Sequence, residues 1–273
     1  MHRLALANLT AIGLTPAEII HLAADIGCEG VALNPGLADI DLGGPIYRID
    51  NDPARRRETA QALADTGVTI DLVDAFVVSP DFSLALAETV MDVFGELGAH
   101  LFNVVLTDRE EARAHANLAA LCELGVPCGM TMAAEFSAMG GPVSSLAKAV
   151  ELVTSGKFAG LKVLIDSLHL ARTGGTPEDV ARIDPALIGG SQICDGPAAW
   201  PGLEDYRYEA LFERGIPGEG ELPLRAFLDV IPNGVIVSPE VPLKSLRDQG
   251  VSIQECARRA VEGTRRLQAA VAA

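Results

Sequence analysis

The apolar positions of the chain fall into two alternating patterns. After Thr15, the residues Ile19, Leu22, Ala23 and Ile26 follow the three-to-four-residue spacing of one helix face. The stretch closes at Gly27, and residues 30–33, Gly-Val-Ala-Leu, then form a short unbroken apolar run of strand length. The same succession recurs. Gly67, Gly98 and Gly125 each end an amphipathic stretch, as a left-handed C-cap glycine does, and apolar runs follow at 68–73, 101–105 and 129–133. Further runs lie at 4–8, 161–165, 188–193 and 235–237, with helical patterns over about 143–154, after Thr176, over 223–230 and from Ser252 to about Val271.

Helix starts are written in the polar residues between these runs. Thr15-Pro16-Ala17-Glu18 has a capping Thr, a Pro at the first helical position and a Glu three residues on, which together predict a capping box. Asp108-Arg109-Glu110-Glu111, Ser252-Ile253-Gln254-Glu255 and Thr176-Pro177-Glu178-Asp179 repeat that logic, and Asp52-Pro53 and Ser79-Pro80 read as further starts. Eight short continuous strands alternating with about eight helices predict a parallel sheet covered by helices. The units average roughly 34 residues, as in a (β/α)8 TIM barrel occupying residues 1–273 as a single domain. A doubly wound sheet would bring a phosphate loop after its first strand, and neither GxGxxG nor GxxxxGK[ST] occurs.

Composition narrows the function classes. Hydrophobic residues make up 49% of the chain and aromatics only 4%, which suits a barrel interior of small and branched aliphatic residues. A formal charge of −16 opposes binding to nucleic acid or anionic membrane surfaces. No apolar run approaches the ~20 residues of a membrane span. The five cysteines are scattered, unlike a disulfide framework or a paired zinc motif, and the N-terminal residues lack the apolar core of a secretory signal. A cytoplasmic protein is expected.

In a barrel the chemistry lies at the C-terminal ends of the strands. The first four ends offer Asn8, Asn34, Asp74 and Asn103, groups suited to hydrogen-bonding a substrate. The last four offer Glu135, Asp166, Gln192 and Glu240. Three carboxylates converging without a cation would raise one another's pKa, and a divalent ion resolves the conflict. An all-oxygen set suits Mg²⁺ or Mn²⁺ better than Zn²⁺. Of the five histidines only His169 falls near this site, where it is placed to bind a substrate oxygen or shuttle a proton. His21 and His115 are expected on solvent-facing helix surfaces. Cys194 is expected to pack, and Asp195 to orient Gln192 or bind a cation. The loop from 195 to 217, with Trp200, Tyr206, Tyr208, Arg207 and Arg214, reads as a lid, a subunit contact or an anchored surface loop.

These motifs resemble those of the xylose isomerase-like barrels. Asp166-Ser167-Leu168-His169, followed by Gly174-Gly175, is similar to that superfamily's DxxH motif. Gln192-Ile193-Cys194-Asp195 is similar to its HxxD motif with Gln in place of His, and Ile216-Pro217-Gly218-Glu219-Gly220-Glu221 to its PGxG segment. The resemblance implies Glu135, Asp166, Gln192 and Glu240 as ligands of one divalent metal ion, Mn²⁺ or Mg²⁺, with Glu135, Glu240 and His169 as catalytic residues. The activity it implies is isomerisation or epimerisation of a keto-sugar or related polyol through a metal-stabilised enediolate. The Gln ligand and the run from Glu135 to Gly141 are most similar to the inosose and dehydroshikimate dehydratase branch, so a metal-dependent dehydratase is the alternative. That branch is expected to place an Arg near the ends of strands three and four to hold a substrate carboxylate, and Arg109 is the candidate. A barrel retained as a non-catalytic subunit is the second alternative. The expected partner is a small keto-polyol, with a homodimer or homotetramer open; endonuclease IV chemistry would need histidines on the early strands, which this chain lacks.

Overall fold

The computed structural model describes residues 1–37 and 42–271. Eight parallel strands run in the order β1-β2-β3-β4-β5-β6-β7-β8. They are β1 Ala5–Ala7, β2 Gly30–Leu33, β3 Thr69–Val78, β4 Leu101–Leu106, β5 Thr131–Glu135, β6 Lys162–Asp166, β7 Ile188–Ile193 and β8 Val237–Pro239. A parallel bridge from Leu4 to Val237 brings the last strand to the first, and Ser238 Oγ donates to the Ala5 carbonyl at 2.8 Å. The predicted (β/α)8 barrel is thus observed. Its outer helices are α1 Pro16–Asp25, α2 Pro53–Thr66, α3 Leu84–Glu96, α4 Glu111–Gly125, α5 Leu146–Thr154, α6 Ser167–Arg172, α7 Pro177–Val180, α8 Leu203–Phe212, α9 Leu224–Val230, α10 Lys244–Asp248 and α11 Ile253–Val271. No helix among the described residues is long and apolar enough to cross a membrane.

Strand alternation connects the core to the site. Ala7, Ala32, Leu72, Ala133 and Leu164 form a buried cluster, with Leu101 and Ile236 packed against it. Small alanines from some strands leave room for leucines from others, the usual way a narrow lumen is filled. Side chains two residues along a strand share a face. Asp74, Asn103, Glu135 and Asp166 each lie two residues beyond a member of this plug. The apolar plug is therefore the floor on which the polar site stands.

Several local expectations are revised. The Thr15 and Thr176 capping boxes both form completely. Asp108 Oδ1 accepts from the Glu110 N–H at 2.9 Å and its carboxylate also takes Arg113 (2.5 and 2.8 Å), but α4 begins only at Glu111, with Glu110 rather than Asp108 at its cap position. Ser79-Pro80 does not start a helix: β3 extends to Val78, and Ser83 caps α3. Gly125 is helical, and the left-handed glycine of that turn is Gly129, at φ 68°. A Cβ on Gly125 would meet the Met130 carbonyl at 2.8 Å, so close packing explains this glycine. His21 is exposed as expected, whereas His115 is half-buried and edge-on to Phe158.

Candidate active site

The mouth of the barrel holds a cavity of about 310 Å³. Its deep end is polar: Asp74, Glu135, His169, Arg214 and Glu240 line it. Its outer wall is largely apolar, with Leu9, Ile12, Ile46, Val77, Met139 and Leu211 half-buried around it. Three of the four predicted ligands sit at ends of neighbouring strands, and Asp166 and Gln192 are register partners across β6 and β7. Glu240 follows β8, its backbone N–H bonded to the Ile193 carbonyl at 3.0 Å. Thr10 secures that corner, donating to the Pro239 carbonyl (2.8 Å) and accepting from the Val241 N–H (2.7 Å).

The side chains form one hydrogen-bonded chain. Asn103 Nδ2 donates to Glu135 Oε2 and to Asp74 Oδ1, both at 2.6 Å. Gln192 Nε2 donates to Asp74 Oδ2 at 2.7 Å and to Glu240 Oε1 at 3.0 Å. Glu135 and Glu240 are thus the two ends of a relay through Asn103, Asp74 and Gln192. The sequence offers Asp74 only as one of several substrate-binding groups; in the fold it is the hub of this network. It lies in an irregularity of the β3–β4 pairing between Val73 and Phe76, where an extra residue re-aims side chains. Asn8 and Asn34 serve the surrounding loops: Asn8 Oδ1 accepts from the Asn34 N–H and Asn34 Oδ1 from the Gly36 N–H.

Arg214 provides the positive charge at the floor. It is 5% exposed, donates to Asp166 Oδ2 at 2.6 Å and lies 2.9 Å from Glu240 Oε2. The other oxygen of Asp166 caps α6, accepting from the N–H groups of Leu168 and His169. Burial alone would raise the Asp166 pKa, but the charges of Arg214 and His169 and these hydrogen bonds hold it below the usual carboxylate value. Burial and the neighbouring Glu135 push Asp74 up to about 6. Burial likewise raises Glu240 well above its ordinary value, despite Arg214. Burial pushes the Cys194 thiol to about 12, so it stays neutral in the packing role expected of it.

The sequence pattern marks Arg214 only as part of a loop. The signal that would have singled it out is its place immediately before the Gly215–Glu221 segment. Asp195, expected to orient Gln192, instead staples that segment: its carboxylate accepts from the N–H groups of Gly196, Gly218 and Leu222 at 2.9, 2.9 and 3.0 Å. Asp195 and Gly215 exchange backbone bonds of 2.8 and 2.7 Å, which delivers Arg214 to the floor. The rest of the loop is occupied by α8. Tyr206 is its fully buried anchor, while Trp200 and Tyr208 are about half exposed.

The donor set fits a hard divalent cation. Four buried or half-buried carboxylates face one guanidinium, so the floor carries excess negative charge. The amide oxygens Gln192 Oε1 and Asn103 Oδ1 are buried without a hydrogen-bond donor, and an unpaired buried acceptor is costly unless something positive faces it. One ligand atom each from Glu135, Asp166 and His169 lie within 4.8 Å of one another.

Comparison with known proteins agrees with this architecture. A 3-dehydroshikimate dehydratase of Pseudomonas aeruginosa is 28% identical over 239 residues, 82% of this chain, and the chain spans 35% of that relative's length. IolI, solved with a bound zinc atom, superposes with a TM-score of 0.75 at 18% identity, covering 99% of both chains. An L-ribulose 3-epimerase superposes with a TM-score of 0.69 at 14% identity, covering 100% of this chain and 97% of its own. The family described as xylose isomerase-like TIM barrel matches residues 20–268, and the chain belongs to it.

Proposed function

We propose that this protein is a divalent-metal-dependent isomerase or epimerase of a keto-sugar or related polyol. The observation that supports the reading is the floor of the cavity: Glu135 and Glu240 line it, Arg214 joins Glu240 to Asp166, and Gln192, bonded to Glu240, has an amide oxygen without a donor. Glu135, Asp166, Gln192 and Glu240 would hold Mn²⁺ or Mg²⁺, ions suited to oxygen ligands. When bound, such an ion supplies a Lewis acid for a carbonyl and its neighbouring hydroxyl.

The chain's own residues handle the proton. Glu135 lies at one end of the relay and Glu240 at the other, so the substrate's α-carbon would sit between two carboxylates held apart by Asn103, Asp74 and Gln192. One takes the α-proton and the other returns it to the opposite face, which is epimerisation, or to the adjacent carbon, which is isomerisation. His169 Nε2, 3.2 Å from Glu135 Oε1, steadies that carboxylate. The apolar outer wall excludes water from the floor and accommodates the less polar part of the substrate.

One observation favours a second reading, dehydration of the inosose or dehydroshikimate type. Arg109 lines the outer cavity and pairs with no acid among the described residues, which suits a substrate carboxylate. In that chemistry a β-hydroxyl leaves after the same proton abstraction.

The discriminating experiment incubates the Mn²⁺- or Mg²⁺-loaded protein in ²H₂O with keto-sugars, inososes and 3-dehydroshikimate. Deuterium entering an α-carbon without loss of water supports the isomerase or epimerase. A conjugated product absorbing in the ultraviolet supports the dehydratase. Metal binding without turnover or exchange on this panel would favour a non-catalytic subunit.

A further inference from the structure

We propose that the substrate of this cavity is a keto-polyol carrying an apolar substituent, an alkyl or aryl group, and that Ile12, Ile46 and Leu211 are residues that select it. The proposal rests on the reading above for the polyol head; the preference for an apolar group stands on the cavity wall. Hydrogen-bonding groups are unevenly placed around this space. Asp74, Glu135, His169, Arg214 and Glu240 lie together at its deep end. Above them Leu9, Ile12, Ile46, Val77, Met139 and Leu211 are half-buried around the same cavity. A hydroxyl set against such a wall gives up its water and gains no partner, whereas a methyl or phenyl group gains by leaving water.

The polar side chains of the outer cavity are drawn toward backbone. Asn8 Oδ1 accepts from the Asn34 N–H at 3.1 Å, Asn34 Oδ1 from the Gly36 N–H at 2.7 Å and Ser137 Oγ from the Met139 N–H at 3.4 Å. Thr107 Oγ1 donates to the Val78 carbonyl at 3.5 Å. Arg109 is exposed. A polyol with a hydroxyl on every carbon would therefore meet the wall with hydroxyls that these residues do not serve.

The wall is held in shape by its own packing. Helix α8 supplies Leu211, and its Arg207 Nη2 donates to the Met139 carbonyl at 3.0 Å. Arg172 of α6 fastens that helix, Nε and Nη2 donating to Glu209 Oε2 and Oε1 at 2.8 and 2.6 Å. The loop after β2 leans on the loop after β1 and on α8. A Cβ on Gly44 would lie 3.5 Å from Gly13 Cα and 3.6 Å from Ile12 Cγ1, and one on Gly43 would lie 3.6 Å from Phe212. Three segments distant in the sequence thus fix the apolar surface before a ligand arrives, so little ordering opposes binding. The wall and the floor belong to one cavity of about 310 Å³, within the size range of small-ligand pockets. One molecule, polar at one end and apolar at the other, spans both.

The test measures binding of matched probes to the Mg²⁺-treated full chain by nuclear magnetic resonance titration. The probes are phenyl and methyl β-D-glucopyranoside, and L-rhamnose beside L-mannose, a pair in which a methyl replaces a hydroxymethyl. The phenyl glycoside is expected to bind about tenfold more tightly than the methyl glycoside, the value of partly burying a ring. Leu211→Asn and Ile46→Asn should each reduce that ratio severalfold. A preference for L-rhamnose over L-mannose without one for phenyl supports the proposal with the apolar group at the chain terminus; a phenyl preference supports it with the group at the glycosidic position. Equal affinities within both pairs, no binding of any probe, or a preference that survives both substitutions would overturn it. Should a variant fail to fold, nuclear Overhauser contacts in the wild type decide: phenyl or rhamnose methyl protons close to the methyl groups of Ile12, Ile46 or Leu211 support the proposal, and their absence overturns it. If the preference holds while no keto-sugar exchanges or turns over, the proposed reaction fails and the apolar subsite stands. Turnover of keto-sugars with no preference in either pair has the opposite meaning.

Discussion

Arg214 sets the electrostatics of the site. Among the described residues it is the single guanidinium at a floor of four carboxylates, and it donates to Asp166 Oδ2 and pairs with Glu240 Oε2. Removing one partner of a buried ion pair leaves the other charge unpaired, which costs about 3–5 kcal/mol. Arg214→Met is therefore expected to lower stability by that order in urea unfolding, with part of the loss restored by saturating Mg²⁺. An unchanged midpoint with and without Mg²⁺ would contradict the role given to Arg214. Gln192→Leu probes the opposite partner. It removes the orphaned Oε1 and leaves Asp74 and Glu240 without their shared donor. Calorimetry should show Mg²⁺ affinity falling by at least roughly tenfold, the lower end of what support for a metal site is worth. The residues at this scale differ in how legible they were. Glu135 and Asp166 terminate apolar runs, so strand periodicity points at them directly, and Gln192 is the one large polar side chain inside the 188–193 run. Asp74 and Arg214 owe their roles to three-dimensional placement, Asp74 to an irregular pairing of β3 with β4 and Arg214 to a loop stapled by Asp195.

Among the elements, the segment from Asp195 to Leu222 does the most to build the site, since it carries both the helix that grips His169 and the arginine that bridges two carboxylates. Its path depends on glycine at a place where no side chain fits. A Cβ on Gly220 would lie 2.4 Å from Asp195 Oδ1 and 2.7 Å from the Gly196 carbonyl oxygen. Gly220→Ala is expected to push the segment off Asp195 and lower stability by about 1–3 kcal/mol. It should reduce Mg²⁺ affinity with it, because Arg214 loses its anchor. Gly67→Ala, at a left-handed cap with nothing within 4 Å of the added methyl, should cost stability alone and leave Mg²⁺ affinity intact. Equal effects of the two substitutions on Mg²⁺ binding would contradict this coupling. Helix starts were legible where the capping side chain had no competitor, as at Thr15 and Thr176. Asp108 shows the limit: its carboxylate takes both the Glu110 N–H and the Arg113 guanidinium while α4 begins only at Glu111, a shift that local spacing does not reveal.

On the scale of the whole molecule, the acidic balance becomes a statement about pH. Asp74 is pushed up to about 6 in the fold and Glu240 rises as well, against an ordinary carboxylate near 4. Between those values the folded state binds more protons than the unfolded chain, so stability falls as pH rises through that window. Asp166 has the opposite sign: its lowered pKa gives stability that is lost as pH falls below about 4. The melting temperature of EDTA-treated protein should therefore decline from about pH 5 toward pH 7. With the metal site assigned as proposed, Mg²⁺ would bind the deprotonated floor, so the difference between Mg²⁺-loaded and EDTA-treated melting temperatures should widen over the same interval. A melting temperature that rises with pH in EDTA would contradict the raised carboxylates. The eight-stranded barrel itself was legible from the alternation of short apolar runs with capped amphipathic helices, because each run is buried on both faces and each helix on one. What such a barrel acts on is written in the cavity wall, assembled from loops far apart in the sequence.

The central claim is that Glu135, Asp166, Gln192 and Glu240 form a site for one divalent ion. Its most direct test is the Mn²⁺ binding isotherm of the full chain, measured by the loss of the free-ion electron paramagnetic resonance signal, beside those of Glu135→Gln and Glu240→Gln. One bound Mn²⁺ per chain in the wild type, with affinity sharply reduced in both variants, is the predicted result. A wild-type chain that binds no Mn²⁺ or Mg²⁺ at millimolar concentration, or variants that bind as the wild type does, would contradict it.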